Sequence, residues 1–142
     1  MRQRINKKCG ITFIEDCYNA SPDSQAAALA VLGDMNAQRK IAVIGDMLEL
    51  GSVSEKSHYE VGVKAAENKV DILYTYGQRS LQAAKAASEN GINEVYSFDD
   101  KEKLASHLFG LLKEGDAVLF KASRGMKLED VIYSVYSFLE KE

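Results

Sequence analysis

Short apolar runs alternate with amphipathic stretches along almost the whole chain. Five runs rich in β-branched, aliphatic or aromatic residues are bounded by Gly, Asp or Asn, which predicts strands. Apolar residues at three- and four-residue spacing predict a helix after each of them. The predicted strands cover residues 11–14, 40–44, 72–75, 94–98 and 117–120, and the predicted helices cover 23–36, 55–68, 79–90, 101–113 and 127–139. Ser54 and Asp100 stand at positions typical of helix caps.

Regular alternation of strand and helix with short links predicts an α/β fold. Each helix returns the chain by a right-handed crossover, so the strands lie mostly parallel. We therefore predict a doubly wound, Rossmann-like sheet with helices on both faces, formed by a single domain over residues 1–142. Residues 1–8 are expected to form a junction, with a possible edge strand over residues 4–7.

The composition narrows the class of protein. An apolar share of 46% and a charged share of 27% are typical of a soluble globular domain. The net charge of -3, with both signs interspersed, argues against a nucleic-acid surface. No apolar run approaches the roughly 20 residues that span a bilayer. Cys9 and Cys17 have no metal-binding spacing. We expect a cytoplasmic protein that binds neither nucleic acid nor membrane.

Polar residues follow three predicted strands, at the sheet edge where such folds bind ligands. In residues 15–22, Asp16 can accept hydrogen bonds from ribose hydroxyls, and Asn19 can both donate and accept. Alternatively, both residues only shape the turn and cap the next helix. In residues 45–51, Asp46 and Glu49 are either ligands for a cation or ammonium group or simply solvated acids.

The third loop is the most basic one. Lys121, Arg124 and Lys127 surround a glycine-containing turn at a predicted helix N-terminus, a setting that favours an anion. The alternative is an exposed basic loop. The chain has neither a GxxxxGK[ST] phosphate loop nor a GxGxxG motif after the first strand. His58 and His107 form no convincing catalytic arrangement, and we interpret both as structural.

The three loops together resemble the C-terminal domain of the Mur ligases. They occur in the same order as in that family, and the resemblance extends along the whole chain. The matching stretches are residues 16–24 (DCYNASPDS), 45–51 (GDMLELG) and 121–129 (KASRGMKLE), with Ser54, Glu55 and His58 following the second. The resemblance is to those members that add D-alanyl-D-alanine to a UDP-N-acetylmuramoyl tripeptide. Ser21 replaces a common asparagine of the family, and Ala122 a frequent glycine.

The resemblance implies that the chain is the last of three domains in an ATP-dependent amide ligase. ATP phosphorylates the tripeptide carboxylate, the incoming amine attacks the acyl phosphate, and an amide, ADP and phosphate result. ATP and Mg²⁺ are then held mainly by a central domain, and this chain carries no catalytic residue and no metal ligand. Its partners are the central and N-terminal domains, the dipeptide and the tripeptide, and it is expected to be inactive alone.

The resemblance also implies site residues. The nucleotide-binding residues are Arg2 (with Arg4 as the alternative), Asp16, Asn19 and Ser21, and the substrate-binding residues are Asp46, Lys121, Ser123 and Arg124.

Two alternatives remain open from the residues alone. A phosphoacceptor receiver domain also combines paired acids, a later aspartate (Asp46) and a lysine (Lys121) after the last strand. A receiver places its phosphoacceptor where this chain has Tyr76 and Gly77, and a proline where it has Ala122. The second alternative is a nucleotide-binding module without catalysis.

Overall fold

Six strands form one sheet, flanked by five α-helices, in the computed structural model, which describes residues 3–141. The strands are β1 (Arg4–Lys8), β2 (Ile11–Asp16), β3 (Arg39–Gly45), β4 (Ile72–Tyr76), β5 (Glu94–Phe98) and β6 (Asp116–Lys121). The helices are α1 (Pro22–Asp34), α2 (Ser54–Glu67), α3 (Leu81–Glu89), α4 (Lys101–Leu111) and α5 (Glu129–Glu140). Short 3-10 turns cover Gly51–Val53 and Arg124–Met126. The predicted α/β fold is confirmed.

The strand order places three polar loops at one edge. The order is β1-β2-β6-β3-β4-β5, and every neighbouring pair is parallel except β1 with β2. β6 comes last in the chain but lies between β2 and β3. The helices that follow β2 and β6 pack on opposite faces, because α1 lies in one apolar layer and α5 in the other. Such a reversal opens a crevice at the carboxyl ends of the strands.

Apolar layers cover both faces of the sheet. On β6, Val118 and Phe120 pack in the layer with α4 and α5, whereas Ala117 and Leu119 pack in the layer with α1, α2 and α3. Central parallel strands buried on both faces are apolar at successive positions. That is why they are conspicuous in the sequence as uninterrupted apolar runs.

The predicted edge strand is confirmed as β1, antiparallel to β2. Its polar side chains contact Glu15, which points to the α5 face. The Tyr136 hydroxyl donates to Glu15 Oε2 at 2.5 Å, and the Asn6 amide donates to the same oxygen at 2.6 Å. Arg4 lies 3.9 Å from the Glu15 carboxylate. These contacts fasten the edge strand to the α5 side of the domain.

One predicted helix cap is confirmed and one is wrong. Asp100 caps α4, since its carboxylate accepts from the Glu102 and Lys103 amides at 2.9 and 3.1 Å. Ser54 is the first residue of α2 and not its cap, because the preceding 3-10 turn runs directly into the helix. Its hydroxyl lies 3.3 Å from His58 Nδ1.

Helices α2 and α3 pack closely against each other at Gly62. A β-carbon at Gly62 would lie 2.1 Å from the Ala83 carbonyl oxygen and 2.7 Å from the Ala86 β-carbon. The two helices therefore approach each other at a distance that only glycine permits at this position.

Gly62→Ala is expected to destabilise the domain by about 1–3 kcal/mol, because the methyl group forces α2 and α3 apart. Gly110→Ala is the matched control, since Gly110 is also helical but has no neighbour within 4 Å of an added β-carbon. We expect the control to be neutral or to stabilise by about 0.5–1 kcal/mol through helix propensity. Urea unfolding followed by circular dichroism measures both, and similar effects would contradict the packing described for Gly62.

Candidate functional site

Asp16 and Lys121 lie side by side at the carboxyl ends of β2 and β6. They are register partners, and they follow Ile14 and Leu119 by two positions, so both side chains point to the α1 face. Lys121 Nζ donates to Asp16 Oδ1 at 2.9 Å, with side-chain exposures of 3% and 12%. A buried ion pair therefore joins the first and third loops.

The Lys121 ammonium also holds the backbone of the first loop. Nζ donates to the Asn19 carbonyl oxygen at 2.8 Å. A lysine ammonium has three donors, so two are used within the protein. The structure thus places Lys121 with Asp16 and Asn19, whereas the sequence grouped it with Ser123 and Arg124.

A cavity of about 270 Å³ opens beside this ion pair. Polar and apolar side chains line it together: Gln3, Asp16, Asn19, Ser24, Ala27, Ala28, Val31 and Lys121. The small side chains of α1 leave the space, and the strand ends supply the charge. Of the predicted nucleotide-side residues, Asp16 and Asn19 therefore meet at one cavity.

Gln3 is a lining residue that the sequence analysis missed. Its amide nitrogen lies 3.4 Å from Asp16 Oδ2, the carboxylate oxygen that Lys121 leaves uncontacted. The antiparallel register could have identified it, because Arg4 pairs with Glu15 and the preceding residue therefore stands opposite Asp16. Arg4 itself faces Glu15. Arg2 lies outside the described residues.

Ser21 caps α1. Its hydroxyl accepts from the Ser24 amide at 3.2 Å, and the Ser24 hydroxyl accepts from the Ser21 amide at 2.8 Å. This reciprocal capping box satisfies two amides at the helix start. Ser21 does not line the cavity. Its predicted contact with the nucleotide stays a prediction.

The Asp46 carboxylate accepts hydrogen bonds from backbone amides at the start of α3. Oδ1 accepts from the Ser80 amide at 2.7 Å, Oδ2 accepts from the Arg79 amide at 3.3 Å, and the Arg79 guanidinium lies 3.7 Å away. The carboxylate is buried. Asp46 therefore joins the second loop to α3, and its predicted role toward substrate stays a prediction.

Ser123 joins the second and third loops. Its amide donates to the Asp46 carbonyl oxygen at 3.1 Å, and its hydroxyl accepts from the Leu48 amide at 2.8 Å. The adjacent Ala122 is fully buried. A β-carbon added at Gly45 would lie 2.6 Å from the β-carbon of Ala122. Ala122 fits because its neighbour on β3 is glycine.

Arg124 is exposed beside these fixed residues. Its guanidinium carbon lies 5.0 Å from the centre of the Tyr18 ring, a cation–π distance. Lys127 has a left-handed backbone, with φ of 52°, just before α5, whose first turn carries Glu129 and Asp130. The three basic residues predicted to bind an anion therefore have different surroundings: Lys121 is buried in an ion pair, whereas Arg124 is exposed and contacts the first loop through Tyr18.

Both histidines, which the sequence suggested to be structural, make contacts within the domain. His58 is fully buried, and its two ring nitrogens are hydrogen-bonded to backbone groups of Met47 and Ser54. His107 Nδ1 lies 2.7 Å from the Tyr74 hydroxyl at the α4 face of the sheet. Burial, with the nearby Tyr96 as the next cause, raises the pKa of Tyr74 well above its usual range, so the phenol stays protonated.

Cys17 follows Asp16 and is buried in the apolar layer with α5. Burial, with the nearby Glu129 carboxylate as the next cause, raises the pKa of Cys17 to about 12, so the thiol stays protonated at neutral pH. Within residues 3–141, no three His, Cys, Asp or Glu side chains are grouped to hold a metal ion. No helix in this part of the chain has both the length and the apolarity needed to cross a membrane.

Comparison with known proteins decides the family. The family model described as "Mur ligase, glutamate ligase domain" matches residues 2–124. The chain belongs to the Mur ligase family. It is 37% identical over 130 residues to the UDP-N-acetylmuramoyl-tripeptide–D-alanyl-D-alanine ligase of Bacillus subtilis, covering 90% of this chain and 28% of that protein. It is 40% identical over 121 residues to the ligase of the same name from Treponema pallidum, covering 84% and 26%.

Solved structures of Mur ligases share the fold. The MurF ligase of Thermotoga maritima in complex with ADP matches with a TM-score of 0.83 and 31% identity, over 96% of this chain and 30% of that one. A MurF structure from Acinetobacter baumannii matches with a TM-score of 0.85 and 29% identity, over 94% and 30%. The chain thus spans less than a third of these relatives.

The receiver-domain alternative is not supported. The family model and the relatives described above are Mur ligases. Asp46, the later aspartate of that alternative, is buried and accepts hydrogen bonds from the amides at the start of α3.

Gly77→Ala is expected to release Asp46, because the new β-carbon would lie 2.5 Å from the Asp46 carboxyl carbon. Gly91→Ala is the matched control, since its φ of 104° is close to the 106° of Gly77 but nothing lies within 4 Å. Both variants carry the backbone strain of about 1 kcal/mol or more. Gly77→Ala should cost at least ~1 kcal/mol beyond that, through the lost hydrogen bonds of a buried carboxylate. Equal losses in urea unfolding would refute the contact.

Proposed function

We propose that this chain is the C-terminal domain of an ATP-dependent ligase that joins D-alanyl-D-alanine to a UDP-N-acetylmuramoyl tripeptide. The names and extents of the relatives support this reaction. The observation that carries the proposal is the cavity beside the Asp16–Lys121 pair, at the carboxyl edge of the sheet. ATP is the nucleotide of the proposed reaction, with ADP and phosphate as products.

The cavity has the chemistry of one wall of a nucleotide site. Asp16 lines the cavity, and its Oδ2, which also lies 3.4 Å from the Gln3 amide nitrogen, can accept hydrogen bonds from ribose hydroxyls, while Lys121 holds Oδ1 in place. Asn19 offers an amide, and α1 offers an apolar surface. At about 270 Å³, the cavity is smaller than the ~300–1,000 Å³ of complete small-molecule sites. In the proposed enzyme, the phosphates and Mg²⁺ are held mainly by a central domain.

The second side of the site takes the incoming dipeptide. Arg124 is exposed, and its planar guanidinium suits a bidentate contact with the dipeptide carboxylate. Ser123 stands beside it, with its hydroxyl already accepting from Leu48. Asp46 contributes to this side by holding the second loop against α3.

The proposed enzyme divides its work between domains. This chain binds and orients the ribose side of the nucleotide and the incoming dipeptide, and the N-terminal and central domains are its partners. Cytoplasmic location is part of the proposal, because the precursor and ATP are cytoplasmic compounds. The chain alone is expected to have no ligase turnover, and ATP hydrolysis by it that depends on both substrates would contradict this division.

In the complete ligase, Asp16→Ala is expected to raise the KM for ATP by on the order of tenfold, the loss of about one charge-assisted hydrogen bond. Arg124→Ala is expected to raise the KM for D-alanyl-D-alanine by a similar or larger factor. Asp23→Ala, at an exposed position nearby, is the control of the same charge for Asp16, and Lys103→Ala, at an exposed position of α4, is the control for Arg124.

Steady-state phosphate release at varied ATP and varied dipeptide separates the two effects. Unchanged kinetics in both variants would overturn the proposed site. If Arg124→Ala lowered kcat alone, Arg124 would act on the transition state and not on dipeptide binding.

A further inference from the structure

Two hydrogen bonds to backbone groups fix the tautomer of His58. Nε2 accepts from the Met47 amide at 2.9 Å, and Nδ1 lies 2.7 Å from the Ser54 carbonyl oxygen. A backbone amide only donates and a carbonyl only accepts, so the neutral ring carries its proton on Nδ1. His58 belongs to α2, and its side chain is fully buried. It links the second loop to a rigid helix.

Three consecutive residues of the second loop are fastened by their backbone groups. The Asp46 carbonyl accepts from the Ser123 amide at 3.1 Å, and the Leu48 amide donates to the Ser123 hydroxyl at 2.8 Å. Between them, the Met47 amide is held by His58. The flanking residues therefore support the third loop, while the middle residue connects this support to α2.

The second loop also lies close to the third loop on the other side of Arg124. A β-carbon at Gly125 would lie 3.0 Å from Leu48 Cδ1, so the second loop also touches the third loop beyond Ser123. Arg124 lies between these two contact points in the chain. Its backbone is thus positioned by residues whose own position depends on the His58 hydrogen bond. The contacts of the Asp16–Lys121 pair involve neither His58 nor Met47.

We propose that His58 is a positioning residue for the dipeptide side of the site, acting through the Met47 amide. This inference rests on the proposed function. The bond to Met47 transmits the effect, whereas the bond to Ser54 only orients the ring. Loss of the Met47 bond lets the second and third loops move and displaces Arg124, while the nucleotide cavity keeps its shape.

Two amide substitutions in the complete ligase separate the two bonds. The longer side chain of His58→Gln can place an acceptor oxygen where Nε2 stands, and the shorter one of His58→Asn can place a donor where Nδ1 stands. Both remove the ring. We expect H58N to raise the KM for D-alanyl-D-alanine by about tenfold, as for one lost hydrogen bond, and to change the KM for ATP by less than about twofold. We expect H58Q to stay within about threefold of wild type for both.

Equal effects of H58N and H58Q on the dipeptide KM would overturn the inference, as would a parallel rise in the ATP KM. If H58N does not fold, H58L takes its place, because leucine fills the site without offering an acceptor. Amide hydrogen exchange gives a second readout: Met47 should stay protected in H58Q and lose protection in H58N or H58L. A wild-type enzyme without activity on the dipeptide would contradict the proposed function itself.

Discussion

The candidate site depends on the buried ion pair between Asp16 and Lys121. An exposed pair contributes at most about 1 kcal/mol, but removing one partner of a buried pair costs ~3–5 kcal/mol, because an uncompensated charge remains. The pair connects the last residues of β2 and β6, and the Asn19 carbonyl accepts a further hydrogen bond from Lys121. It thereby sets the position of the first loop, the wall of the cavity and the direction of Asp16 Oδ2. A stable pair of charges holds the carboxylate ready for a ligand without further rearrangement.

Much of the fold follows from local pattern, whereas the site follows from topology. The apolar runs predicted the central strands, since strands buried on both faces have no polar alternation. The predicted strands stopped at residues 14 and 120. β2 and β6 continue to Asp16 and Lys121, because polar residues extend the hydrogen-bonded pairing between the two strands. The insertion of β6 beside β2 brings together residues that are 105 positions apart, and no local pattern encodes that neighbour. Alternation also separates Glu15 from Asp16, although they are adjacent acids in the sequence.

The predicted residues differ in how directly they serve the site. Asp16, Asn19 and Arg124 present side chains to the cavity or to the edge of the crevice. Ser21 and Asp46 instead satisfy backbone amides at the starts of helices, the usual alternative for short polar side chains in loops. Sequence pattern does not distinguish these uses, because both place the same residue types after a strand. In the proposed ligase, Ser21 and Asp46 hold the loops in place, and Asp16, Asn19 and Arg124 contact the ligands.

In the proposed ligase, Lys121 serves the nucleotide side of the site through Asp16. Calorimetric titration of ADP into the complete ligase and its D16N, K121M and double variants measures this coupling as a double-mutant cycle. We expect each single change to weaken ADP binding, the double variant to lose at least ~0.5 kcal/mol less than the sum of the two, and the KM for the dipeptide to stay within about twofold. Additive losses, or a dipeptide KM that rises in K121M while ADP binding is unchanged, would show that Lys121 does not act through Asp16.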